Sequence, residues 1–220
     1  MSPDELLEKL SFAMPLGLGK AHAKAIERNL NANAQSCLDI GCGRGSFKFL
    51  KKFDSVGCDI YLPGLIKARK KAYYKNLVQG DVKQLPFKPK SFDAAICVEV
   101  IEHLDKASGI KLIQQMEEIA AKQVIIMTPW GYLPMEKRED NPYLTHHSGW
   151  LPREFQEMGY KTYHFYYFRY PLGSKKYQII TRYILTLVLY PMIRLFPNNF
   201  AQDFVAVKDF SISAAADLPK

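Results

Sequence analysis

Three glycines, Gly41, Gly43 and Gly45, with Asp39 before them and Asp59 after them, are where residue type and spacing point most directly to chemistry. Glycine lets the backbone take positive φ and lets a ligand approach the main chain closely. In LDIGCGRGSFKF (38–49) the loop is expected to lead into a helix beginning near Ser46, whose free N–H groups would face an anionic group. Asp59 follows Asp39 by twenty residues, at the end of the next apolar run, where a carboxylate can accept hydrogen bonds from ribose hydroxyls. A dinucleotide fold uses the same parts, but its G-x-G-x-x-G fingerprint would put the third glycine where Ser46 stands. A second set is Glu99, Glu102 and His103, with His146 and His147 further along the chain. Carboxylates and an imidazole three and four residues apart can converge on one face of a helical turn, and such a set suits an oxygen-preferring cation. Histidine is also the side chain whose unperturbed pKa suits proton removal from a hydroxyl near neutral pH.

The elements that must carry these residues follow from the period of the apolar positions. Helices are expected over 3–10 and 18–30, then a strand over 36–40, the glycine turn and a helical stretch over 46–52. A second strand covers 55–59, and Pro63 suits the first turn of a helix running to about Tyr74. Short strands at 77–79 and 92–98 follow, the latter mostly apolar and so expected to be buried on both faces. A helix over 108–120 and a fifth strand over 123–128 come next, then a long polar loop from 129 to 149 of the kind that forms functional lids. A short helix at 151–158, a sixth strand at 160–168 and a seventh at 204–208 complete the pattern. Residues 1–210 thus read as one domain, with a helical cap over 1–33 and an apolar, basic insertion over 171–200. The tail 211–220 is expected to be disordered.

LDIGCGRG resembles the first motif of class I S-adenosylmethionine-dependent methyltransferases. QGDVKQLPF (79–87) and FDAAICVEVIEHL (92–104) are similar to that family's third and fourth strand ends. The resemblance implies an α/β fold: a Rossmann-like, seven-stranded, mostly parallel sheet with helices on both faces and an antiparallel last strand. It implies S-adenosyl-L-methionine as cofactor. Asp39 and the backbone of Gly41 and Gly43, with Gly45 in the same loop, would hold its methionine end. Asp59, with Ile60 beside it, would take the ribose hydroxyls. Asp81 would accept from the adenine amino group, with Val82 alongside, and Glu99 would lie near the sulfonium.

On the reacting side the chain lacks the N/D-P-P-Y/F/W motif of enzymes that methylate base amines. Its E-x-x-E-H string is similar to that of ubiquinone-synthesis O-methyltransferases and of small-RNA ribose 2′-O-methyltransferases. In the RNA group such residues bind a divalent metal, which here would mean Glu99, Glu102, His103 and His146 holding an ion such as magnesium. His103, His146 and His147 are the candidate catalytic residues, as base or as metal ligand. The expected function is O-methylation of a small or lipid-like acceptor; the alternatives are an RNA ribose 2′-O-methyltransferase and a non-catalytic cofactor-binding protein.

The bulk numbers fit one domain with a sizeable core: 220 residues, 48% of them hydrophobic. The acidic start MSPDELLEKL does not read as a secretory signal. Cys37, Cys42, Cys58 and Cys97 form no CxxC pair and are expected to be reduced, non-ligating residues of a cytoplasmic protein. The net charge is +8, and between Met158 and Gln202 six Lys and Arg stand without any Asp or Glu. That asymmetry points to an anionic partner, a membrane surface or a nucleic acid. The stretch 177–196 is rich in Ile, Leu and Val, which do not stack on bases. Peripheral membrane or lipid contact therefore stands ahead of an internal lid, and both stand ahead of RNA.

Overall fold

A computed structural model describes residues 18–135, 141–166 and 201–210. The expected helix at 3–10, the insertion 171–200 and the tail 211–220 lie outside the described residues. Seven strands form one sheet in the order β3-β2-β1-β4-β5-β7-β6. They are β1 (Ser36–Ile40), β2 (Asp54–Asp59), β3 (Asn76–Gln79), β4 (Phe92–Val98), β5 (Ala120–Pro129), β6 (Lys161–Tyr166) and β7 (Ala201–Asp209). The five from β3 to β5 are mutually parallel, and β7 runs antiparallel to both of its neighbours. This is the Rossmann-like sheet that the resemblance implies.

Alternation along the strands divides the core in two. Leu38, Ile40, Ala95, Cys97, Val124 and Ile126 pack with Leu112, Ile113 and Met116 of α3 (Lys106–Ile119). Cys37, Ala94, Ile96 and Ile125 pack on the other face with Ala25 and Ile26 of α1 (Leu18–Asn29). Each large apolar side chain buried this way contributes about 1.5–3 kcal/mol. The remaining helices are α2 (Leu62–Lys71), with Pro63 in its first turn, and α4 (Pro152–Glu157). Asp105 caps α3 by accepting the Ser108 N–H at 2.9 Å, an orphan donor of the first turn.

Two expectations change. The stretch after the glycine loop is no α-helix; it is a 3₁₀ turn over Lys48–Lys52. Phe47, Phe49 and Leu50 are all buried, and that spacing of two and one does not fit the single stripe of an amphipathic helix. The helix after β2 stops at Lys71, short of Tyr74, because Ala72 turns left-handed at φ 52°. No described helix is long and apolar enough to cross a membrane.

Candidate active site

The strand order reverses between β1 and β4, and the ends of β1, β2, β3 and β4 open there into one cavity of about 730 Å³. Ligands of open α/β sheets bind at such a switch point. Gly41 and Gly43, Asp59 and Ile60, Asp81 and Val82, and Glu99 all line it, one group from the end of each strand. Residues 141–144 and His147 line it from the far side, with His103 and Leu104 between. Glu99 itself sits in the left-handed region at φ 55°, a conformation a non-glycine residue holds only where the surroundings demand it. Its N–H is tied to the Met127 carbonyl at 2.9 Å, which fixes the turn out of β4.

The glycine loop is braced from within. The N–H groups of Gly41 and Cys42 donate to the Cys58 carbonyl at 2.8 and 3.1 Å, and that of Gly45 to Cys42 O at 2.9 Å. The Gly43 N–H donates to Asp59 Oδ2 at 2.7 Å, and the Tyr61 N–H to Asp59 Oδ1 at 2.7 Å. Gly41 has φ 71°, and a Cβ there would clash with the Val100 side chain, so both conformation and space require glycine.

Asp39 is not on the cavity wall. It is 1% exposed beneath the loop and accepts the Tyr74 hydroxyl at 2.6 Å. Burial pushes its carboxyl up to about 7, against the pull of the Tyr74 hydrogen bond, and the nearby Asp59 charge adds to the rise. Gly45 likewise packs inward, its missing Cβ 3.2 Å from both Ala68 and the Tyr74 ring. Lys71 completes the brace by donating to Gly45 O at 2.7 Å. Tyr74 and Lys71 are positioning residues that the sequence did not single out. Arg44, Tyr61 and Lys83 also line the cavity; the only prior signal for them was adjacency to Gly43, Ile60 and Val82. Tyr143, on the far wall, gave no signal at all.

On the reacting side, Glu102, His103 and His146 offer one ligand atom each within 4.8 Å of one another. Glu99 is not part of this group: it leaves β4 before the 3₁₀ turn Ile101–His103 that carries the other two, so the expected single helical turn does not form. His146 reaches the cluster from the 141–149 segment, which the backbone ties down where His147 N and Ser148 N donate to Glu102 O at 2.8 and 3.1 Å. His103 Nδ1 lies 3.2 Å from Thr145 O, and His146 Nδ1 lies 2.6 Å from Leu133 O. A carbonyl only accepts, so both Nδ1 atoms carry hydrogen. The two rings meet edge to face, with centroids 4.7 Å apart. Burial above all lowers His103 to about 4, with the two neighbouring histidines adding to the fall, so the ring is neutral at physiological pH. Thr128 Oγ1 donates to Glu102 Oε2 at 3.0 Å, an orienting contact of the kind that holds a ligating carboxylate. Two imidazoles and a carboxylate are a donor set that fits a divalent ion.

Residues 38–125 match the family described as Methyltransferase domain. Protein MJ0638 of Methanocaldococcus jannaschii is 28% identical over 125 residues, 56% of this chain and 54% of that protein. An Encephalitozoon cuniculi protein, provisionally named a methyltransferase, is 35% identical over 106 residues, 46% of this chain and 48% of that protein. The chain thus spans about half the length of the curated relatives it matches. Among solved structures, a SAM-dependent methyltransferase from Archaeoglobus fulgidus superposes with a TM-score of 0.61. It is 19% identical, and the superposition covers 93% of this chain and 99% of that one, which establishes the common fold.

No cysteine lines the cavity. All four are free and buried, and burial pushes their thiols upward, so none is poised as a thiolate.

Proposed function

We propose that this chain transfers a methyl group from S-adenosylmethionine to an oxygen of a small or lipid-like acceptor. The observation that carries the cofactor reading is the commitment of the loop amides. The N–H groups of Gly41, Cys42, Gly43 and Gly45 all bind acceptors of the protein itself, so they cannot cradle a dinucleotide pyrophosphate. The 3₁₀ turn in place of a helix removes the other half of a phosphate site. Carboxylates at the ends of β2 and β3 instead suit a cationic nucleoside: Asp59 for ribose hydroxyls, Asp81 for an exocyclic amine, with the buried Val82 against the ring. Glu99 stands at the mouth of β4, and Asp39 braces the loop from beneath through Tyr74. When bound there, the cofactor would supply an electrophilic methyl on a sulfonium, and positioning the acceptor in line with it would provide much of the acceleration.

His103 is the proposed base. It lies on the cavity wall, Thr145 O fixes its tautomer, and its neutral ring can accept the proton the acceptor oxygen must lose. An imidazole with a pKa of about 4 is a weak base toward a free hydroxyl. It is adequate once the oxygen is gaining the methyl carbon and its proton becomes strongly acidic. His147, exposed on the same cavity, is placed to contact the acceptor, while His146 is buried behind His103.

The compact Glu102, His103 and His146 group favours a second reading, in which these residues hold a divalent ion such as magnesium that engages an acceptor with adjacent hydroxyls, an RNA ribose among them. Tritiated-methyl transfer onto a cell extract fractionated into lipid, RNA, protein and small molecules tests both. Label in the lipid or small-molecule fraction, unaffected by chelator, supports the first reading; label in RNA, lost on chelation and restored by magnesium, supports the second.

A further inference from the structure

The described residues hold a concentration of positive charge that is separate from the basic stretch after Met158. Between residues 44 and 75 there are nine Lys and Arg against two Asp, a local excess of seven beside +8 for the whole chain. One Asp of the two, Asp59, is turned to the glycine loop and the cavity. Lys67, Arg69 and Lys70 are exposed on α2, and Lys48 and Lys51 are exposed on the 3₁₀ turn. None of these five has an ion-pair partner among the described residues. The two elements are neighbours: the Lys51 and Lys71 ammonium groups stand 5.6 and 6.0 Å from the centroid of one ring, Tyr73. α2 also carries two large aliphatic side chains in the open, Leu62 at 48% and Ile66 at 53% exposure, one helical turn apart. Lys70 continues that row by another turn. Tyr61 and Gly64 at the start of α2 line the cavity, so the apolar end of the row borders its mouth.

We propose that the exposed face of α2, with the lysines of the 3₁₀ turn, docks on an anionic lipid bilayer and presents the cavity mouth to that surface. This rests on the lipid-like acceptor of the preceding reading. Aliphatic side chains flanked by ammonium groups enter the headgroup boundary, whereas single-stranded nucleic acid is bound by open aromatic platforms and forked guanidinium groups. Here lysines predominate, and Tyr73 is half-buried between two of them. The docking is peripheral, because α2 has only ten residues.

The test is flotation of the full chain with phosphatidylcholine vesicles, with and without an equimolar share of phosphatidylglycerol. The wild type is expected to float with the anionic vesicles at low salt, to sink at high salt, and to ignore the neutral ones. Each lysine near a charged leaflet is worth about fivefold in partitioning, so Lys67→Glu with Lys70→Glu should lower it by roughly 30-fold or more. Ile66→Ser should weaken binding without changing its salt dependence. Retained S-adenosylmethionine binding by calorimetry checks that the variants fold. The proposal is overturned if the wild type stays unbound, if the double variant floats as well as the wild type, or if an RNA oligonucleotide is held more tightly than the vesicles by the same lysines. Methylation confined to a water-soluble acceptor, with flotation intact, would instead reject the lipid-like acceptor and leave the docking face standing.

Discussion

Replacing Tyr74 by Phe should cost little at pH 5 and much more at pH 9. The variant keeps the ring that packs against Gly45 and removes only the hydroxyl that Asp39 accepts at 2.6 Å. Burial raises Asp39 from 3.8 to about 7, so its protonated form is favoured by folding. Stability from this group is therefore fully present below the unfolded value near 4 and is lost as pH rises through about 7. Three pKa units at 1.36 kcal/mol each put the whole loss at about 4 kcal/mol, as an order of magnitude. Above pH 7 the Tyr74 hydroxyl donates to a carboxylate, worth about 1.5–3 kcal/mol; at pH 5 it faces a neutral carboxyl, worth nearer 0.5–1.5 kcal/mol. Tyr74 is itself held protonated by burial and by the adjoining Asp39 charge, so it remains a donor throughout. Urea unfolding of both proteins at the two pH values should show a destabilisation of about 1 kcal/mol at pH 5 that grows to about 2–3 kcal/mol at pH 9. Calorimetry should show weaker S-adenosylmethionine binding by the variant at the higher pH, because the loop loses its brace. An equal destabilisation at both pH values would refute the account of Asp39 as a buried, titrating support.

Three further outcomes follow from the same geometry. Asp59→Asn removes a charge that serves both the loop and the proposed ribose contact, and should weaken cofactor binding by roughly 10–100-fold in calorimetry; an unchanged Kd would remove Asp59 from the site. His103→Gln should slow methyl transfer by about 10²-fold or more with cofactor affinity kept, and the wild-type rate should fall on this account only as pH drops toward about 4; a decline already centred near 6.5 would contradict the buried neutral ring. Ala72→Gly, at φ 52°, should raise stability by about 0.5–1 kcal/mol in the same urea titrations, and a loss instead would mean that its methyl packs usefully.

Where the pattern along the chain was continuous, its elements could be read to the residue. β1 and β4 were legible because a short, mostly apolar run between turn residues has few alternatives. β5 was read three residues late at its start, since α3 ends at Ile119 and β5 begins at Ala120 with no glycine, proline or turn residue between them. β7 was read short at both ends. Its extra length comes from partners on other strands, Asp209 opposite Gln123 and Asp203 opposite Phe165, and pairing of that kind leaves no local mark. The stretch after the glycine loop was read as a helix because charged and aromatic residues alternate there at a superficially helical density. Burial of Phe47, Phe49 and Leu50 against α1 and the sheet overrides that propensity.

The strand-end side of the cavity was legible for a related reason: Gly41, Asp59, Asp81 and Glu99 each end or follow a strand, and strand ends at a switch point face one cavity whatever the loops do. What sequence could not supply was which of these residues face in and which support from behind. Asp39 belongs to the motif, yet it lies under the loop because Tyr74, thirty-five residues away, fills the space beside it. The acceptor half depends on a contact of the same long-range kind. Glu102, His103 and His146 meet because backbone amides after His146 bond to Glu102 O, which sets the far wall of the cavity at one distance from the strand ends. On the proposed reading, that wall decides how an acceptor approaches, and the strand ends decide where the methyl donor lies. A fold shared across many reactions can therefore be read from the second while the substrate is fixed by the first.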